Sequence, residues 1–175
     1  MLIISFLNLY FKRHFLDKIS DYPFFRFVLM VFLFSLIISL AFQSVFYFAG
    51  LKDVLLSDKP SIAGENIYFQ SIKLVIILPI IETLIFQLFP YFLMTQFDYL
   101  KNRSWIIIIL SAILFGLSHY YSLWYILHSG SLGALFMYAY IVRQRKNDSF
   151  AALCLVHILR NVTSFTMELW TLYNP

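Results

Sequence analysis

The chain has 175 residues, 61% of them hydrophobic and 13% charged, with a formal net charge of +4. That composition excludes an ordinary water-soluble domain, which needs far more polar surface. The basic excess points to anionic lipid headgroups rather than nucleic acid, and a single cysteine, Cys154, excludes an internal disulfide.

The apolar residues fall in long runs, which predict an all-α fold: a polytopic transmembrane helix bundle of about five spans with an N-terminal interfacial helix. Residues 1–22 mix apolar side chains with Lys12, Arg13, His14 and Lys18, the pattern of an amphipathic segment lying on the membrane. They carry no small-residue cleavage site after "MLIISFLNLYFKRHF". Residues 23–175 form the multi-pass domain. Its first span is expected at Phe24–Gly50, followed by a polar loop from Leu51 to Asn66. The second, Ile67–Phe97, is longer than a bilayer requires, and Pro79 and Pro90 are expected to kink it. The third, fourth and fifth are expected at Ser104–Tyr120, Leu123–Val142 and Phe150–Leu172.

Charge orients these spans. With the N-terminus cytoplasmic, the inner segments hold Lys12, Arg13, Lys18, Arg26, Lys101, Arg103, Arg143, Arg145 and Lys146. The outer loops hold Lys52 and Lys59, with Lys73 in the first turns of the second span. No internal repeat of the kind found in many transporters is visible.

Ionisable groups at bilayer depth are costly, so those present are functional candidates. Glu82 stands alone in "PIIETLIFQLFP". His119, His128, His157, Arg160 and Asn161 are the other deep polar groups, with Gln87. At ~1.5 Å per residue from the inner loop edges, Glu82 lies ~24 Å up, His119 ~23 Å, Asn161 ~20 Å and His157 ~14 Å. Three helices therefore bring them to comparable depths, and His157 and Asn161, spaced i, i+4, share a helix face. A buried carboxylate is suited to act as a general base on water, while imidazole and carboxamide donate to an oxyanion. Glu82, His119 and His157 are also of the types that hold zinc. No cofactor is expected, with zinc on those three residues as the alternative. His128 is expected to pack or line a cavity, and Arg160 to pair with an acid or reach the flanking surface. Cys154 is expected to be an inert buried thiol. Ser129, Gly130, Gly133 and Ala134 are expected to let helices approach closely.

Three motifs in order, "ETLIFQ" (Glu82 to Gln87), "FGLSH" (Phe115 to His119) and "HILRN" (His157 to Asn161), resemble those of the CPBP family of intramembrane proteases. That family includes the type II CAAX prenyl endopeptidases and bacteriocin-processing or self-immunity proteins. Its motifs read E-E-x-x-x-R, F-x-x-x-H and H-x-x-x-N. The resemblance covers roughly residues 70–165. It implies an endopeptidase acting on a membrane-associated, prenylated or leader peptide, with Glu82, His119, His157 and Asn161 catalytic. Thr83, Gln87 and Phe115 would stand behind them. It also implies lipid and a peptide or protein substrate as partners, no nucleic acid, and a bacterial cell membrane as the setting. Thr83 stands where the family has its second Glu, and Gln87 where it has Arg. Both changes remove charge, so a neutral, hydrogen-bonding pair is expected in place of an ion pair. The alternative function is a catalytically silent immunity or scaffold protein that binds a membrane peptide or enzyme.

Overall fold

A computed structural model describes residues 19–50 and 66–173. The charged part of the expected interfacial helix, including Lys12, Arg13, His14 and Lys18, lies outside the described residues, as does the loop 51–65. The described residues are helical nearly throughout and contain no strand. From Phe24 onward the described residues form α1 (Phe24–Phe48), α2 (Ile67–Thr95), a single turn α3 (Asp98–Lys101), α4 (Ser104–Leu117), α5 (Leu123–Arg143) and α6 (Ser149–Tyr173). Four of them, α1, α2, α5 and α6, are long and apolar enough to cross a membrane. The protein is thus an integral membrane helix bundle, and the large apolar side chains on its outer surface, such as Phe25, Ile76, Ile80, Leu84 and Trp105, are those of a lipid-facing exterior.

The expected third span is shorter than the sequence suggests. Helix α4 has 14 residues and ends at Leu117, about 21 Å of helix at ~1.5 Å per residue. Its last turn is closed by its own side chains. The Ser118 hydroxyl donates to the Phe115 carbonyl at 2.7 Å, and His119 Nδ1 lies 2.8 Å from the same oxygen. Terminal carbonyls that would otherwise be orphaned are satisfied there, so the chain can turn. Ser122 then caps α5, its hydroxyl accepting from the Tyr125 N–H.

The prolines of α2 disturb the turns that precede them. The helix runs through both, but widens into π-helical turns at Ile72–Ile77 and Leu84–Leu88, each just ahead of a proline. Proline lacks an N–H and crowds the carbonyl four residues back, and a wider turn relieves the crowding. The widening leaves carbonyls without helical partners. The Leu78 N–H bonds the Lys73 carbonyl, so Leu74 would next be served by Pro79, which has no hydrogen to give. Asn161 of α6 supplies it, its Nδ2 donating to the Leu74 carbonyl at 2.8 Å. The Phe86 carbonyl, four residues before Pro90, receives the Ser111 hydroxyl of α4. Both repairs come from other helices, so the breaks in α2 also fix its position in the bundle.

The apolar core gathers Phe27, Val28 and Val31 of α1, Ile107 of α4, Phe136, Met137 and Tyr140 of α5, and Leu153 and Val156 of α6. Helices α4 and α5 form a tight hairpin because glycines meet in it. A Cβ on Gly116 would lie 2.7 Å from the Ile126 carbonyl oxygen, and one on Gly133 would lie 2.8 Å from Phe115 Cβ. At the basic end, Arg143 is buried and donates Nε and Nη2 to both carboxylate oxygens of Asp148, at 2.6 and 2.7 Å. Its Nη1 donates to the Ser20 and Tyr22 carbonyls. Asn147 takes the left-handed conformation between α5 and α6, φ 55°, which asparagine tolerates.

Candidate active site

Helices α2 and α6 bring Glu82 and His157 together: Glu82 Oε2 lies 3.1 Å from His157 Nε2. Glu82 stands in the short α-helical stretch Leu78–Thr83 between the two π turns. Its immediate neighbour Thr83 is buried and lies behind the imidazole, Oγ1 3.5 Å from His157 Nδ1. The Thr83 hydroxyl donates its one hydrogen to the Pro79 carbonyl at 2.7 Å. Its lone pairs therefore face Nδ1, while the carboxylate faces Nε2. Both ring nitrogens thus look onto oxygens, one of a hydroxyl and one of a carboxylate. Glu82 is not sealed: its side chain keeps 21% exposure, against 5% for His157. The carboxylate expected to be buried is therefore only partly so.

Aromatic rings hold the imidazole in place. Phe136 of α5 is 5.2 Å from it, ring centre to ring centre, and Phe115 of α4 is 5.8 Å away. Phe115 also stands 4.7 Å from the ring of His119. His119 makes no hydrogen bond with Glu82 or His157; its Nδ1 is turned to the Phe115 carbonyl and the Ser118 hydroxyl. Its ring meets Phe115, which in turn meets His157. Among the described residues no three His, Cys, Asp or Glu side chains are grouped to hold a metal ion. Of the three candidate ligands, Glu82 and His157 are in contact, while His119 is folded back onto the last turn of α4.

Asn161 sits one helical turn beyond His157 on α6, with one carboxamide N–H on the Leu74 carbonyl and the other unassigned. Gln87 is completely buried, and neither end of its amide has a partner. Thr83 and Gln87 make no hydrogen bond to each other. The π turn Leu84–Leu88 lies between them and breaks the i, i+4 alignment, and Thr83 has already bonded Pro79. Cys154 is buried beside Thr83.

The family described as type II CAAX prenyl endopeptidase Rce1-like matches residues 64–163, more than half of the chain. The chain belongs to this family. Neither a curated protein nor a solved structure matches it. The matched segment contains Glu82, His119, His157 and Asn161 together, and it starts just ahead of α2 and ends within α6. It omits α1, which nonetheless contributes side chains to the interior.

Sequence reasoning missed three parts of this surround. Phe136, in an apolar run, has nothing in sequence to set it apart from other core residues. Tyr125 stands between two histidines, 5.8 Å from the His119 ring and 6.2 Å from that of His128. Ser39 of α1 lies 2.9 Å from His128 Nε2 and accepts from Arg160 Nη2 at 2.7 Å. Among the described residues Arg160 therefore pairs with hydroxyls and not with an acid. The signal available for it was its cost: an arginine at mid-helix needs a reason.

Proposed function

We propose that the protein is an intramembrane endopeptidase in which Glu82 is the general base and His157 its proton partner. Glu82 takes a proton from water as the water oxygen attacks the scissile carbonyl carbon. The resulting tetrahedral oxyanion is met by N–H donors from His119 and Asn161. Collapse breaks the C–N bond, and the proton held between Glu82 and His157 passes to the leaving nitrogen. The products are a new carboxyl terminus and a new amine. The substrate class is a membrane-associated peptide, prenylated or carrying a leader.

The observation that carries this reading is the Glu82–His157 contact, made by two helices inside a membrane domain and backed by Thr83 and two aromatic rings. Purified full-length protein should cleave a farnesylated peptide of the CAAX type, and Glu82→Gln should lower kcat by at least about 10³-fold with little change in KM. Cleavage by Glu82→Gln at the wild-type rate would sink the assignment. The second reading, a silent membrane binder, is favoured by one feature, the neutral Thr83 and Gln87 in place of the family's charged pair. Binding of the peptide without its cleavage would establish it.

A further inference from the structure

Arg160 lies in the middle of a helix with neutral side chains as its partners. It lies 11 residues into the 25-residue helix α6, ~17 Å from that helix's basic end at ~1.5 Å per residue. Its side-chain partners are neutral: Nη2 donates to Ser39 Oγ at 2.7 Å and Nη1 to Ser164 Oγ at 2.9 Å. Nε is buried with no acceptor. A guanidinium has five N–H hydrogens, so three remain without an acceptor among the described residues. Among the described residues no carboxylate forms an ion pair with it. An uncompensated cation at this depth is strongly disfavoured unless something anionic visits it.

The cluster adjoins the active site. Arg160 is three residues beyond His157 on α6 and immediately precedes Asn161. Tyr125 joins the two regions, with His119 on one side and His128 on the other. Ser39 ties His128 and Arg160 together from α1.

We propose that Arg160, set by Ser39 and Ser164 and flanked by His128, receives the C-terminal carboxylate of the peptide substrate. This rests on the endopeptidase reading and names what its site recognises. A planar guanidinium fork with unused N–H groups matches a carboxylate in shape as well as charge. Lipid phosphates lie at the bilayer surface, whereas Arg160 is at mid-helix. An anion arriving there must be carried in by a chain that enters the bundle, and the end of a peptide is such an anion. An extended chain spans about 3.3–3.6 Å per residue, so the carboxylate would lie only a few residues beyond the bond that Glu82 and His157 address.

The test compares a farnesylated peptide ending in a free carboxylate with the same peptide ending in a carboxamide, using the full chain in detergent. Wild type should favour the acid by roughly 10- to 100-fold in kcat/KM, mostly through KM, as expected for a hydrogen-bonded charge pair. In Arg160→Gln the acid-to-amide ratio should fall to near one, and Arg160→Lys should fall between. The ratio is internal to each preparation, so partial misfolding does not alter it. A wild-type ratio near one, or a ratio unchanged in Arg160→Gln, overturns the proposal. The same two peptides are titrated onto Glu82→Gln protein with and without Arg160→Gln, reading Kd. If wild type cleaves neither peptide, the endopeptidase reading has failed for them, and the binding ratio still decides the carboxylate site. Equal affinity for acid and amide, or no binding of either, counts against it.

Discussion

Asn161 shows how one side chain can be asked to do two things. Its spacing from His157 marks it as a site residue, and its Nδ2 also satisfies the Leu74 carbonyl that the Ile72–Ile77 turn and Pro79 leave open. Asn161→Ala orphans that carbonyl and should cost about 1–3 kcal/mol of stability. Asn161→Asp should be worse for activity than Asn161→Ala, because it sets a negative charge against the Leu74 carbonyl and near Glu82. Thermal unfolding and cleavage rate, measured on the two variants side by side, check both statements. Gln87 presents the opposite case, a buried amide with no partner at either end. Gln87→Arg should be harmful alone, since it buries an unpaired cation. Thr83→Glu with Gln87→Arg should recover part of the loss, and a double variant no better than Gln87→Arg would show that the two positions are not linked. Sequence identified Glu82, His157 and Asn161 through their cost in a membrane and their motif spacing. It could not identify Phe136 or Ser39, because an apolar ring in an apolar run and a serine in a helix carry no signal until the neighbouring helix is in place.

At the scale of the helices, the span positions were legible because long apolar runs with charged ends have few other interpretations. The internal form of α2 was not. Two prolines announce a disturbance, but where the helix widens and how its freed carbonyls are satisfied depends on the donors other helices offer, here Asn161 and Ser111. Ser111→Ala should therefore destabilise the bundle by about 1–3 kcal/mol through the Phe86 carbonyl, seen as a lower melting temperature in detergent. Gly133 makes a second link from element to site. Its missing side chain leaves room for Phe115, the ring that touches both His119 and His157. Gly133→Ala should push that ring toward the histidines and reduce cleavage more than it reduces melting temperature. An activity loss merely in step with the stability loss would assign Gly133 to helix packing alone.

At the scale of the whole molecule, the charge asymmetry predicts that the turn from Arg143 to Asp148 faces the cytoplasm. The structure gives that end a second role, since buried Arg143 clamps Asp148 and the Ser20 and Tyr22 carbonyls. A cysteine placed at Asn147, in a background lacking Cys154, should be labelled by an impermeant reagent only after cells are permeabilised. Labelling from outside intact cells would reverse the topology. What joins topology to chemistry is the meeting of α2 and α6, which sets Glu82 against His157. Separate depth estimates made that meeting permissible, but only the packing of the helices makes it a contact. The most direct test compares peptide termini in membranes from cells making wild type or Glu82→Gln at equal abundance. New amino termini, mapped by mass spectrometry to membrane-associated peptides, should appear with wild type and be absent with Glu82→Gln. The same termini in both, or no difference from cells lacking the protein, would contradict the assignment of Glu82 as the base of an intramembrane endopeptidase.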